Sequence, residues 1–473
     1  MALRLESDSL GQVELPQDAW YGAHTARARD NFLLSGQGVA PELVSAFARV
    51  KIACARTNAA LGYLPAELAE AIVRAAREMA AGEFASSMVV DALQGGAGTS
   101  LNMNVNEVLA NRAEELLGGQ RGQYRLVHPI DHVNLHQSTN DTYPTALKVA
   151  AIGLLRQLHI DISELQMAFQ RKEGEFAHVV KIGRTQLQDA CPMSMAASFS
   201  AWAEGLSRDR WRVSKCEERL RVVNLGGTAI GTGITAPREY IFAVTERLRE
   251  ETGFGLARAE NLVDATQNAD VFVEVSGILK AHAVNLLKCS SDLRLLASGP
   301  RAGLGELRLP PMQVGSSIMP GKVNPVICEA VAQAAMQVIA NDAAITMAAQ
   351  SGQLELNAFL PLVAHALLGS LTLLCRANRM FRLRCVEGIE VNEAACREHV
   401  AQSLSTVTAL VPLIGYEAAA GLAKQALAQG CTIAELVRAE GRLSEAALAE
   451  ALSPAAMTAL GFRGGPRQPN GGN

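Results

Sequence analysis

Apolar side chains recur along this chain at steps of three and four over stretches longer than most helices. Between residues 150 and 180 they fall at Ile152, Leu155, Leu158, Ile162, Leu165 and Phe169, then at Phe176 and Val179. A second run carries Phe199, Trp202, Leu206, Val213, Leu220 and Val223; a third carries Phe272, Val275, Leu279, His282, Leu286, Cys289, Leu293 and Leu296. Such steps keep side chains on one helix face, so each run predicts a packed seam. At about 1.5 Å per residue these helices reach about 40 Å, the dimensions of a bundle. Further helices are expected at 325–350, 358–385, 42–62 and 65–82, with short amphipathic ones after 390. His282 lies on a seam, which favours a buried or inter-helix histidine over a functional one.

The connections have another composition. "QGGAGTSLNMN" (94–104), "QSTNDTYPT" (137–145), "GRTQLQDACP" (183–192), "NLGGTAIGTG" (224–233) and "GSSIMPGKVNP" (315–325) are rich in glycine, hydroxyls and amides, and each is expected to start or end a helix. The tail "RGGPRQPNGGN" (463–473) reads as disordered.

With 473 residues the chain has length for roughly three domains. A net charge of −4 offers no polyanion-binding surface, so no nucleic-acid partner is expected. No run reaches the roughly 18 apolar residues of a membrane span, and the opening "MALRLESDSLGQVELP" lacks a signal-peptide core. Nine scattered cysteines without a C-x-x-C argue against a disulfide framework or zinc site and fit a reducing cytoplasm.

"GSSIMPGKVNP" is not a phosphate-binding P-loop. Five residues separate Gly315 from Gly321, and Val323 stands where a magnesium-binding hydroxyl is needed. A plain structural reading remains open: Asn324 caps a helix that Pro325 begins, and Lys322 is solvated. The other loops supply Thr99, Ser100 and Asn102; Ser138, Thr139 and Asn140; and Thr185 and Gln186. Any one hydroxyl is a cap before it is a ligand, but donors recurring beside helix ends make an anion site. The chemistry such a set supports is carbanion formation next to a carboxylate. Losing that proton creates a dianion, which needs many preorganised donors and a base on a segment able to close.

The loop 315–325 matches the signature of the aspartase/fumarase superfamily, which the chain resembles. "GGAGTSLNMNVNEVLAN", "HQSTNDTYPT", "GRTQLQDA", "GTAIGTG" and "SGPRAGLGE" resemble its aspartase–fumarase branch in order, from about Leu10 to Phe462. The resemblance implies a mostly α, three-domain fold: a mixed, mostly helical N-terminal domain (1–143), a central bundle of long helices (144–393) and a small helical C-terminal domain (394–462). It implies a homotetramer with a twenty-helix core and active sites shared by three subunits. Carried over by position, Ser316 is the general base. Lys322 and Asn324 hold the α-carboxylate with help from Thr185. Thr99, Ser138, Thr139 and Ser317 surround the β-carboxylate, and Asn140 faces the amino group. The reaction implied removes the Cβ proton of L-aspartate and expels ammonia to give fumarate. No organic cofactor or catalytic metal is expected, although an allosteric divalent cation is left open.

Two alternatives stand beside this. Fumarate hydratases of the superfamily expel water, a poor leaving group that needs a general acid, and typically carry "GRTHTQD"; here Gln186 replaces that histidine. An ammonium group already carries its proton, so Gln186 favours ammonia loss, and "QSTND" adds weak support. Gly321, "CEA" (328–330) and His128–Pro129 are fumarase-like, and without that histidine Glu329 falls to a capping or structural role. The second alternative, a non-catalytic scaffold of the same fold, would have no need of Ser316, Lys322 and Asn324.

Overall fold

Each of the three seams folds into one long helix, with Phe176, Val179 and Val223 lying just beyond the helix ends. The computed structural model describes residues 2–462, so the tail at 463–473 lies outside the described residues. An antiparallel hairpin of β1 (Leu3–Asp8) and β2 (Gly11–Pro16) opens the chain, followed by α1 (Ala23–Asn31), α2 (Pro41–Ala60), α3 (Ala66–Ala80) and α4 (Thr99–Leu116). The first seam is α5 (Thr139–Glu175). A second antiparallel hairpin, β3 (Val180–Thr185) with β4 (Gln188–Ser194), leads into the second seam, α6 (Met195–Leu220). The short parallel pair β5 (Val222–Val223) and β6 (Ala257–Arg258) flanks α7 (Arg238–Thr252). Next come α8 (Leu262–Gln267) and the third seam, α9 (Asp270–Leu296). β7 (Leu307–Arg308) precedes α10 (Val326–Gln350) and α11 (Leu360–Arg384), and pairs with β8 (Glu390–Val391). Six short helices follow: α12 (Glu393–Gln402), α13 (Val411–Ile414), α14 (Tyr416–Gln429), α15 (Ile433–Glu440), α16 (Glu445–Ala451) and α17 (Pro454–Met457).

The seam positions are buried with one departure: Trp202 is only partly covered. α11 contains an apolar window of mean hydropathy 1.5, long enough to cross a membrane, but 67% of that window is buried within the protein, as in a core helix.

Two compact units make up the chain. The first contains residues up to Ile162, Arg208–Leu287 and Gln333–Asn378; the second contains Ser163–Ser207, Lys288–Ala332 and the chain from Arg379. In the first unit His282 is fully buried: Nδ1 donates to Asp209 Oδ2 at 2.9 Å, and Asn378 Nδ2 donates to Nε2 at 2.9 Å. This is the core histidine its seam position predicts, with its tautomer fixed by its two partners. Asp209 also accepts from Asn285 Nδ2 at 2.8 Å. Asp209→Ala therefore strands the buried His282 N–H and the half-buried Asn285 amide, and chemical denaturation should show a loss of about 1–3 kcal/mol. The second unit has an aromatic cluster of Phe169, Phe176, Phe199, Trp202 and Phe381, with ring centroids 5.0–6.1 Å apart. It also has a smaller core of Leu410, Leu422, Ile433, Val437 and Leu448 among the short C-terminal helices.

One connection differs from expectation. "GRTQLQDACP" is the body of the β3–β4 hairpin and not a loop capping a helix. Its turn is Gln186–Leu187, at φ 53° and 63°. Two central residues at positive φ match the right-handed twist of the strands they join. Asn and Gly usually fill such a turn; here neither does, so the composition hides it.

Candidate active site

Two groups of the predicted residues can be built upward from their elements, one in each unit. In the first unit, Gly98 adopts φ 94° immediately before α4. A Cβ there would lie 2.1 Å from the Tyr143 ring, so only glycine lets the start of α4 rest on α5. Thr99 opens α4 with Oγ1 donating to Gly96 O at 2.8 Å. One turn on, Asn102 Nδ2 donates to Thr139 Oγ1 at 3.1 Å. The hydroxyls of Thr99, Ser138 and Thr139 thus belong to two helix N-termini in contact.

Ser138 caps α5. Its Oγ accepts from Asn140 N at 3.2 Å, and Asp141 Oδ1 reaches back to Ser138 N at 3.0 Å. The other Asp141 oxygen accepts from Gly226 N at 3.1 Å and Thr228 N at 2.9 Å, tying "NLGGTAIGTG" to the helix start. Burial pushes the Asp141 carboxyl up to about 6 despite these three backbone donors. Pro144 has no N–H to give the carbonyl of Asn140. That carbonyl accepts instead from Asn224 Nδ2 at 3.0 Å, while Asn140 Nδ2 donates to Ala229 O at 2.7 Å.

Behind these groups lies Lys51 of α2, fully buried. Its Nζ donates to Asn102 Oδ1 at 2.8 Å, Asn134 Oδ1 at 3.1 Å and Gln137 Oε1 at 2.8 Å. Burial draws the ammonium down to about 8.

In the second unit, Thr185 and Gln186 stand exposed at the β3–β4 turn. The hairpin is anchored at Glu306, where Arg184 pairs at 2.8 Å, Lys181 at 3.5 Å and His399 Nδ1 at 2.9 Å. Burial works against the Glu306 charge, but Arg184, Lys181 and the hydrogen bond with His399 outweigh it and hold the carboxyl below its usual range.

The loop at 315–324 is closed at its feet. Gly315 N donates to Lys322 O at 2.8 Å, and Asn324 Nδ2 donates to Gly315 O at 2.9 Å. The Asn324 amide thus fastens the loop, in contrast to the capping role its sequence suggests, and α10 begins at Val326. Within the loop, Ser316 Oγ accepts from Ile318 N at 3.2 Å and Met319 N at 3.0 Å. Two fixed donors on one hydroxyl oxygen favour its deprotonated form. Ser317 and Lys322 are exposed. Glu329 sits 3.7 Å from Arg294, a loose surface pair.

Residues 11–340 match the lyase family, and residues 407–459 match the fumarase C C-terminus family. The chain belongs to the aspartase/fumarase superfamily. An aspartate ammonia-lyase from Bacillus sp is 46% identical over 462 residues, 98% of this chain and 99% of that one. A fumarate lyase:delta crystallin from Brucella melitensis bound to cobalt superposes with TM-score 0.93 at 49% identity, covering 97% of this chain and all of that chain. A class II fumarase from Schistosoma mansoni superposes with TM-score 0.92 at 35% identity, covering 96% and 99%. The mostly helical fold expected from the motifs is the superfamily's.

Sequence reasoning passed over Lys51, Asp141 and Glu306. Lys51 had one visible signal, a lone lysine inside the apolar run "AFARVKIACA". A cavity of about 420 Å³ in the second unit, lined by His178, Arg397, Thr432 and Met457 among others, contains none of the predicted site residues.

Proposed function

We propose that the chain is an aspartate ammonia-lyase, eliminating ammonia reversibly from L-aspartate to give fumarate. The observation that carries this reading is Ser316, whose Oγ receives two backbone N–H donors on a loop fastened at both feet. Such an oxygen can take the Cβ proton. In this reading Thr99, Ser138, Thr139 and Ser317 hold the β-carboxylate as it becomes the aci dianion, a charge that hydroxyls at two helix N-termini are suited to meet. Lys322, Asn324 and Thr185 take the α-carboxylate, and Asn140 lies towards the amino group. Ammonium leaves as neutral ammonia and needs no acid, which is compatible with Gln186, a side chain with no proton to give at neutral pH.

The three-domain division with boundaries at 143/144 and 393/394, the homotetramer, and active sites drawing on three subunits belong to the same proposal. Support for assembly comes from the apolar residues the long helices leave exposed: Ile160 and Met167 on α5, Val284 on α9, Met336 and Met347 on α10, and Leu383 on α11. The free cysteines fit a cytoplasmic setting. Every step is assigned to the chain's own groups, so the reading calls for no organic cofactor.

The test offers L-aspartate and L-malate separately and follows fumarate by its ultraviolet absorption. Fumarate is expected from aspartate. Its appearance from malate alone would replace this reading with the hydratase.

A further inference from the structure

Lys51 lies at the centre of three side-chain amides, and its position bears on the orientation of a substrate-binding hydroxyl. Resting on the ammonia-lyase reading, we propose that Lys51 is a positioning residue for carbanion formation. Acting through Asn102, it fixes the Thr139 hydroxyl with its hydrogen offered to the substrate's β-carboxylate.

The argument starts from what an ammonium can do. It donates three hydrogen bonds and accepts none. Lys51 therefore dictates which end of each amide faces it: the oxygens of Asn102, Asn134 and Gln137 point to Nζ, at 2.8, 3.1 and 2.8 Å. With Oδ1 committed, Asn102 must present its NH2 elsewhere. Those two hydrogens go to Asn134 Oδ1 and Thr139 Oγ1, both at 3.1 Å. A hydroxyl oxygen that accepts from Asn102 has its own hydrogen to offer to another acceptor. The direction of the Thr139 O–H is thus set two residues away, by a group that touches no substrate.

The charge matters as well as the direction. The three partners are neutral amides, so the positive charge is solvated without being cancelled by a contact ion pair. In a buried site a chain running from N–H⁺ through an amide to a hydroxyl is polarised along its length, and each bond strengthens the next. The benefit grows with negative charge at the far end. It is therefore larger for the dianionic intermediate than for bound aspartate, the differential that raises turnover.

Two variants of the full-length chain test this. Lys51→Met removes the charge at similar volume. Asn102→Asp keeps the lysine but pairs it with a carboxylate, which has no hydrogen for Thr139 and draws the hydroxyl hydrogen inward. Asn102→Asp decides the matter if Lys51→Met does not fold. Turnover of L-aspartate by the wild type is measured first, because its absence overturns the parent reading. Binding of succinate, a ground-state dicarboxylate, is then compared with binding of 3-nitropropanoate, whose nitronate is isoelectronic with the aci-carboxylate. The expected result is a fall in kcat and in nitronate affinity of about 100-fold, with succinate affinity falling by less than about tenfold. A merely structural role would weaken both ligands alike. Equal losses, or a folded variant with kcat within about threefold of wild type, would overturn the inference while leaving wild-type activity and its assignment intact.

Discussion

Ser316→Ala is expected to lower turnover of L-aspartate by about 10⁴-fold, the upper range for loss of a positioned general base. The Cβ–H bond is only weakly acidic, so on the proposed role of Ser316 nothing in bulk solvent substitutes for a base positioned beside it. The loop should survive the change. Its feet are joined by the Gly315–Lys322 backbone bond and by the Asn324 side chain, neither of which involves the serine hydroxyl. What the variant loses locally is the acceptor for Ile318 N and Met319 N, two exposed groups that water can serve. Thermal stability and oligomeric mass should therefore match the wild type while turnover collapses. A variant turning over at near-wild-type rate would show that another group takes the proton, and the assignment of Ser316 would fail.

Lys322→Met should produce a different kinetic signature. The α-carboxylate carries the same charge in bound aspartate and in the carbanion, so its clamp binds ground state and transition state alike. Losing it raises KM with little change in kcat. A charge-assisted contact of this kind is worth about 3 kcal/mol, or about 150-fold in kcat/KM. Steady-state kinetics over a wide range of aspartate concentration separates the two parameters. A fall confined to kcat would place Lys322 at the developing charge instead and exchange the assignments of the two carboxylates. Lys322 is exposed on the loop, so its replacement should leave stability almost unchanged.

How much of this was legible in the sequence depends on the scale of the signal. The long helices were, because a buried stripe forces apolar residues into steps of three and four and 37 residues of α5 repeat the constraint many times. The small C-terminal helices were legible only as a class. The β3–β4 hairpin was not: two non-glycine residues at positive φ give no compositional signature, and neither strand alternates buried with exposed positions. Within the site, Ser138 and Asp141, three residues apart, start α5 together, a pairing that the sequence reading, which took Ser138 for a ligand, passed over. Asn324 spelled out a helix start and does something else, since a nearby carbonyl, Gly315 O, competes for its amide. Beyond being a lone lysine in an apolar run, Lys51 gave no sign of function, because its partners, Asn102, Asn134 and Gln137, come from distant stretches of chain that only folding assembles.

The turn at Gln186–Leu187 bears on any attempt to harden this protein. Both residues hold left-handed torsions that cost an L-amino acid about 1–2 kcal/mol each, and Leu187 leaves 71% of its surface to solvent. Asn-Gly at these positions would relax the backbone and recommend itself to anyone optimising heat resistance. Such an exchange would discard the two side chains the hairpin tip displays, one of them the amide that stands where related hydratases keep an acid. On the proposed role of Gln186, robustness and reaction choice meet at this one turn and pull in opposite directions.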